Sequence, residues 1–151
     1  QDDTVIFINL TPHSFAYQKG HVIMQSLAGL DPQKVVIELT EQTIVPKDIS
    51  NAGKHWKEKG YRLAVDDISQ GFARLSLVAM LNPDFIKIDK SCINGSMTSH
   101  SWKQVLSGIV SIAKNMGSKT IGEGVETEEE KELLIEYDID YGQGYYFGKP
   151  G

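Results

Sequence analysis

Short apolar runs alternate with helix-like segments along the whole chain, and this alternation constrains the fold more than any other feature. The apolar runs fall at residues 5–8, 35–37, 61–65, 85–88, 119–121 and 141–147. Several are apolar at consecutive positions, as expected for strands that are buried on both faces. With helical periodicity between them, they predict a series of parallel βα units.

Two α/β architectures fit this alternation, a doubly wound open sheet and a (β/α)8 TIM-like barrel. Nearly every predicted strand ends in a polar or charged residue: Asn9, Glu38, Asp66 and Asp67, Lys87 and Asp89, Glu123, and Gln143. In a barrel the carboxyl ends of all strands converge on one mouth, whereas an open sheet uses only the two strands at its switch point. The pattern therefore favours the barrel.

The chain supplies about six of the eight βα units of such a barrel. Its length of 151 residues suits a single domain but falls short of the ~250 residues typical of the fold. We therefore expect residues 1–151 to form one domain that is incomplete at its N-terminus, with about two strands upstream of Gln1. A barrel lacking two strands exposes two edges, so we expect this chain alone to be inactive.

Two adjacent acids, Asp66 and Asp67, follow the apolar run Leu63–Val65 directly. Neighbouring like charges resist desolvation, so such a pair needs either a bound cation or tight hydrogen bonds. Converging Asn, Glu and Asp oxygens favour a hard cation such as Mg²⁺ or Mn²⁺. Two such ions about 3.5–4 Å apart would suit phosphoryl transfer. Lys87 could hold the attacking water or the phosphate, and Glu123 could complete the metal shell or accept a proton.

Each of these residues also has a purely structural interpretation. Asn9 could cap the following helix, and Glu38 could be an ordinary surface acid. Lys87 and Asp89 could form an internal salt bridge. Gln143 lies between two glycines and could belong to a plain turn.

Overall composition narrows the classes of partner. The formal net charge of −5 argues against non-specific nucleic-acid binding, which needs a basic face. Cys92 is the only cysteine, which excludes a disulfide framework and fits a reducing, cytoplasmic compartment. No apolar run approaches the length of a membrane span.

Two further segments carry local predictions. A polar stretch from Asn94 to Ser101 leads into a helix at residues 102–116, whose apolar positions follow helical spacing. Thr127 and Glu130 form a capping box that predicts the start of another helix.

The strand-end motifs closely resemble those of the EAL family of cyclic di-GMP phosphodiesterases. The matching segments are residues 8–12 (INLTP), 37–41 (IELTE), 65–67 (VDD), 85–89 (FIKID), 123–127 (EGVET) and 143–145 (QGY). Together they span essentially the whole chain in the family's order.

The resemblance implies a modified (β/α)8 barrel that hydrolyses cyclic di-GMP to the linear dinucleotide pGpG with Mg²⁺ or Mn²⁺. The implied metal ligands are Asn9, Glu38, Asp66 and Asp67, with Asp89 nearby at the second metal. Lys87 would lie beside the catalytic water, and Glu123 would be a metal ligand or the general base. The implied supporting residues are Glu41, which would steady the loop after Asp67, and Glu126 and Gln143.

Two departures from the family pattern bear on activity. The Glu-Ala-Leu motif lies on an earlier strand than any in this chain. The family also reads Asp-Asp-Phe-Gly-Thr-Gly-Tyr-Ser-Ser where residues 66–74 read DDISQGFAR, so Ser69 replaces a glycine that has more conformational freedom. The alternative function is therefore a degenerate EAL domain that binds cyclic di-GMP or a protein without hydrolysis. The resemblance also implies a homodimer, an upstream sensor or GGDEF domain, and a cytoplasmic location, including the cytoplasmic part of a membrane-anchored protein.

Overall fold

A computed structural model describes residues 4–16, 18–40 and 47–149 of the chain. The contacts between Cα atoms divide the chain into two compact units. We call them the first unit, residues 1–66 and 72–84, and the second unit, residues 67–71 and 85–151. Both are built from parallel strands and helices that alternate along the chain, as the sequence predicts.

Three parallel strands form the sheet of the first unit. In spatial order they are β1 (Ile6–Leu10), β2 (Val35–Leu39) and β3 (Arg62–Val65). The helices of this unit are α1 (Pro12–Ala16), α2 (Gln18–Ser26), α3 (Ile49–Glu58) and α4 (Phe72–Leu81), and a 3-10 turn at Pro32–Lys34 precedes β2. Every residue of β2 is buried, which explains why its sequence is almost wholly apolar.

An aromatic cluster joins two helices of the first unit. Trp56 of α3 is fully buried and stacks on Phe15 of α1, with ring centroids 5.5 Å apart. Its indole Nε1–H donates a hydrogen bond of 3.1 Å to the carbonyl of Phe15, so the polar atom of the buried ring is satisfied. Tyr61 packs edge-on against the same indole. These contacts fix α3 against α1.

The first strand is less buried than its apolar sequence predicts. The side chains of Ile6 and Phe7 are 45% and 38% exposed, so the expectation of a fully buried strand is wrong at these two positions. An apolar strand is buried only where other elements cover it, and within the first unit β1 has β2 as its paired neighbour.

The second unit repeats the parallel arrangement. Its strands, in spatial order, are β4 (Phe85–Ile88), β5 (Lys119–Glu123) and β6 (Tyr141–Gln143), and its helices are α5 (Lys90–Thr98), α6 (His100–Met116) and α7 (Glu128–Glu136). The strand β6 is shorter than the predicted run at residues 141–147. A further helix of the described residues, α5, takes up most of the polar stretch that begins at Asn94.

Local side-chain hydrogen bonds stabilise two helices of this unit. The buried face of α5 includes Ser96, whose hydroxyl donates 2.8 Å to the carbonyl of Cys92, so a polar residue can lie on an internal face. The predicted capping box of α7 is confirmed: Glu130 N donates 3.2 Å to the Thr127 hydroxyl, and Thr127 N donates 3.1 Å to the Glu130 carboxylate.

Among the described residues, no helix combines the length and the apolar character that crossing a membrane requires.

Candidate metal centre

In the first unit, neighbouring strands bring three of the predicted site residues to one edge of the sheet. Asn9 lies opposite Glu38 in the register of β1 and β2, and Glu38 lies opposite Ala64 of β3. Asp66 follows β3 directly. Because these strands are parallel, their carboxyl ends share one edge, and the sequence alone placed these residues there correctly. Glu38 is buried, which excludes its interpretation as an ordinary surface acid.

Three carboxylates form a cluster that could hold a metal ion. Asp66, Asp67 and Glu123 each offer an oxygen, and these oxygens all lie within 4.8 Å of one another. Asp67 has a positive φ of 51°, a left-handed conformation that Asp tolerates better than most residues. Glu123 comes from the end of β5, so the cluster unites residues far apart in sequence.

A lysine lies beside this cluster. The Nζ of Lys87, on β4, is 2.7 Å from a carboxylate oxygen of Glu123, and the two side chains are only 7% and 21% exposed. Lys87 therefore pairs with a member of the acidic cluster, and burial strengthens the interaction by excluding water.

The charges of this group fit a divalent cation. When its three carboxylates are ionised, Lys87 balances one negative charge, and a divalent ion would balance the other two. Carboxylate oxygens without sulfur or imidazole suit hard cations such as Mg²⁺, Mn²⁺ or Ca²⁺. The donor set at this place therefore fits the kind of metal that the sequence predicts.

Asp89 occupies a different environment at the end of β4. It is 5% exposed, and its carboxylate accepts hydrogen bonds from the hydroxyls of Ser69 and Ser91, from Ser69 N at 3.3 Å and from the Gln70 side-chain amide at 3.4 Å. Burial raises the pKa of Asp89, but hydrogen bonds from the side chains of Ser69 and Ser91 and from the backbone N–H groups of Asp89 and Cys92 together outweigh it and hold the pKa below the ordinary value. Asp89 is thus an ionised, closely bonded carboxylate.

Of the three predicted supporting residues, two have contacts in the structure and one lies outside the described residues. Glu126 forms an ion pair of 2.5 Å with Lys90, and its own N–H donates 2.6 Å to Glu130. The carbonyl of Gln143 accepts a hydrogen bond of 3.0 Å from Val125 N, which joins the segment after β5 to β6. Glu41 lies outside the described residues, so its predicted role stays a prediction.

Sequence reasoning missed three residues of the loop and helix after Asp67. Ser69 and Gln70 bond to Asp89, as described above. Arg74, in the first turn of α4, is 7% exposed, and its Nη1 atom has no hydrogen-bond partner in the described part of the chain. These positions are where the chain departs from the EAL pattern, and that departure is the signal that marks them.

The fold and the site define an α/β protein of parallel strands with an acidic cluster at strand ends. A family model described as the EAL domain matches residues 1–150. The probable cyclic di-GMP phosphodiesterase PdeB of Escherichia coli (strain K12) is 31% identical over 148 residues, which cover 95% of this chain and 28% of that protein. The cyclic di-GMP phosphodiesterase PdeA of Borreliella burgdorferi is 31% identical, over 97% of this chain and 22% of that protein.

Solved structures show the same relationship. An EAL domain protein from Listeria monocytogenes EGD-e superimposes with a TM-score of 0.88 at 29% identity, covering 97% of this chain and 60% of that one. BlrP1 of Klebsiella pneumoniae, solved as a manganese and cyclic di-GMP complex, gives a TM-score of 0.86 at 31% identity, covering 99% of this chain and 40% of that one. The chain belongs to the EAL domain family. The predicted α/β class with the TIM-like barrel fold is thereby confirmed, although the chain spans less than a third of the length of the two curated relatives.

Proposed function

We propose that the protein containing this chain hydrolyses cyclic di-GMP to linear pGpG in a reaction that depends on Mg²⁺ or Mn²⁺. The observation that carries this proposal is the cluster of Asp66, Asp67 and Glu123 with Lys87 beside it, in a chain of the EAL family. Relatives named as cyclic di-GMP phosphodiesterases support the substrate, and a relative solved with manganese and cyclic di-GMP supports the metal.

Asn9, Glu38, Asp66 and Asp67 would hold the metal ions in this proposal. Bound divalent ions supply an activated water and neutralise charge on the phosphate oxygens. Asn9 contributes a neutral amide oxygen and the acids contribute charged ones, a mixture that suits a hard cation. Asp89 is assigned beside the second metal.

Lys87 and Glu123 would act on the reacting atoms. Lys87 carries a buried positive charge that can orient the attacking water or the phosphate, where charge develops in the transition state. Its ion pair with Glu123 fixes the direction of the ammonium group. Glu123 then has one of two roles: it accepts the proton of the attacking water, or it completes the metal shell. Gln143 and Glu126 support the site, and Glu41 steadies the loop after Asp67.

The cellular location and the partners of the protein form part of the same proposal. We assign it to the cytoplasm, where the single, buried Cys92 would remain reduced, either free or as the cytoplasmic part of a membrane-anchored protein. A homodimer and an upstream sensor or GGDEF domain are the proposed partners, in line with a chain that spans only part of its longer relatives.

A second candidate function is binding without hydrolysis. The observation that favours it is the divergent loop, in which Ser69, Gln70 and Arg74 replace the residues of the family pattern. In that case the domain would act as a cyclic di-GMP-binding or protein-interaction module.

A turnover assay separates the two candidates. The full-length protein is incubated with cyclic di-GMP and Mg²⁺ or Mn²⁺, beside an Asp66→Asn variant, and pGpG is measured by chromatography. We expect the wild-type protein to form pGpG and the variant to form far less. If pGpG never appears while cyclic di-GMP still binds, the hydrolase proposal is wrong and the binding module stands.

A further inference from the structure

The loop of residues 67–71 is fastened to the end of β4 at several points within the second unit. Ile68 N donates 3.2 Å to the carbonyl of Lys87, and the Ile68 side chain is buried. Gln70 N donates 2.9 Å to the carbonyl of Asp67, which closes a turn. Ser69 and Gln70 then reach Asp89 with their side chains. The loop that carries Asp67 is therefore tied to the strand that carries Lys87.

The hydrogen bonds of Asp89 occupy its acceptor positions evenly. Its Oδ1 atom accepts from Ser69 N and from the Ser69 hydroxyl, while Oδ2 accepts from Ser91 and Gln70. Because an ionised carboxylate has about four lone-pair sites, the donors of the loop occupy a large share of its capacity. Asp89 is also absent from the cluster of acids that could share a metal ion, as far as the described residues extend. Its contacts fit an anchor for the loop.

We propose that Ser69 and Gln70 are positioning residues that hold Asp67 in its metal-binding position through their bonds to Asp89. This inference rests on the proposed function in that it assigns a task to the loop of the same site. Asp67 is in the left-handed region, which Asp tolerates better than most residues but which is still sparsely populated, so neighbouring contacts help to hold it there. The Ser69 hydroxyl and amide bond to Asp89 only two residues after Asp67, so they restrain the backbone close to it.

The side chains that form this anchor are particular to this chain. The EAL pattern has glycine at position 69, which has no side chain with which to bond Asp89. The replacement of that glycine thus adds a bond instead of merely losing conformational freedom. Outer hydrogen bonds that orient metal ligands typically change metal affinity by 10–100-fold when removed. The anchor therefore has a measurable consequence for metal binding.

The test measures Mn²⁺ affinity of the metal-free full-length protein by isothermal titration calorimetry, together with its melting temperature. We expect Ser69→Ala to weaken Mn²⁺ binding about 10-fold and Ser69→Ala with Gln70→Ala to weaken it further. Ser69→Thr keeps a hydroxyl on the same carbon and should bind Mn²⁺ more tightly than Ser69→Ala, with an affinity close to that of wild type. Ser26→Ala is the matched control, because the Ser26 hydroxyl donates to the Val22 carbonyl of its own helix.

Two results would overturn the inference. One is an unchanged Mn²⁺ affinity in the double variant, even where its melting temperature falls, since that pattern belongs to a purely structural bond. The other is a Ser69→Thr variant that binds Mn²⁺ as weakly as Ser69→Ala. Hydrolysis is measured separately, so a wild-type protein that binds Mn²⁺ but forms no pGpG overturns the hydrolase proposal and leaves the anchor to be judged on affinity.

Discussion

Lys87 and Glu123 lie on adjacent parallel strands, with the Lys87 Nζ 2.7 Å from the Glu123 carboxylate. Lys87 is opposite Ile121 in the strand register, and Glu123 is two residues further along β5 on the same face. Glu123 also belongs to the acidic cluster with Asp66 and Asp67. This pairing places a buried positive charge directly at the edge of the cluster.

Replacing Lys87 by methionine should therefore reduce activity strongly while keeping the length of the side chain. We expect kcat for cyclic di-GMP hydrolysis to fall about 10²–10³-fold, the usual effect of removing one preorganised electrostatic group. Lys114→Met is the matched control, because Lys114 is half exposed and its ion pair with Asp138 is a surface pair of little energetic value. A Lys87→Met protein that turns over at the wild-type rate would contradict the proposed role.

The Asp66→Asn variant should separate metal binding from stability. We expect it to weaken Mn²⁺ binding by at least the roughly 10–100-fold that losing an outer-shell partner of a ligand costs, because a charged oxygen in the cluster becomes neutral. The metal-free variant should melt at a higher temperature than the metal-free wild type, since the repulsion from Asp67 and Glu123 is relieved. Calorimetric titration and thermal unfolding measure the two effects.

The control for Asp66→Asn is the same change at Asp48. Asp48 is exposed before α3, and its side chain makes no capping hydrogen bond there. Unaltered Mn²⁺ affinity in Asp66→Asn would remove Asp66 from the metal site.

Asp140 should make the stability of the protein depend on pH. Its carboxylate accepts hydrogen bonds from Lys119 Nζ at 2.7 Å, Thr120 N at 2.9 Å and the Thr120 hydroxyl at 3.0 Å. Burial raises the pKa of Asp140, but these bonds outweigh it and lower the pKa below the ordinary value of 3.8. Because the folded-state pKa is the lower one, the stabilisation is present above pH 3.8 and is lost as pH falls through the folded-state pKa.

We accordingly expect Asp140→Asn to lower the free energy of unfolding by about 1–2 kcal/mol at pH 7. The difference from wild type should shrink when both proteins are unfolded in denaturant at a pH below the folded-state pKa of Asp140. Asp138→Asn is the control, because the Asp138 side chain is 83% exposed. An Asp140→Asn deficit that is equal at neutral and strongly acidic pH would contradict the assignment to this carboxylate.

Gly144 should not tolerate a side chain. A Cβ atom there would lie 2.1 Å from the carbonyl oxygen and 2.3 Å from the nitrogen of Val125, and the φ of 154° is itself one that L-residues rarely adopt. Since Val125 N bonds the Gln143 carbonyl, the clash would separate β6 from the segment after Glu123. We expect Gly144→Ala to lower the free energy of unfolding by more than about 2 kcal/mol.

We expect the opposite effect on the free energy of unfolding when Gly108 is changed to alanine. It lies within α6, and nothing is within 4 Å of a Cβ atom placed on it. Gly108→Ala should raise the free energy of unfolding by about 0.5–1 kcal/mol, because alanine is the better helix former. Chemical denaturation of both variants checks the pair, and similar effects at the two glycines would contradict the packing described for Gly144.

Much of the candidate site could be predicted from the sequence, because the apolar runs show where the strands end. The runs ending in Asn9, Glu38 and Asp66 are parallel neighbours, so their side chains reach one edge without knowledge of the tertiary structure. The helix α5 was harder to predict, because Ser96 lies on its buried face and satisfies its hydroxyl within the helix. The exposure of Ile6 and Phe7 could likewise not be predicted from the sequence, since an apolar residue is buried only if another element covers it.

The sequence by itself determined the parallel βα arrangement, the strand-end acids and the family, because all three depend on residue order. Only the tertiary structure decided which partners those acids have. Lys87 pairs with Glu123, while Asp89 accepts its hydrogen bonds from Ser69, Gln70 and Ser91. Lys87 and Asp89, two positions apart at the end of β4, thus take different partners, because hydrogen bonds depend on distances of about 3 Å that strand periodicity does not specify.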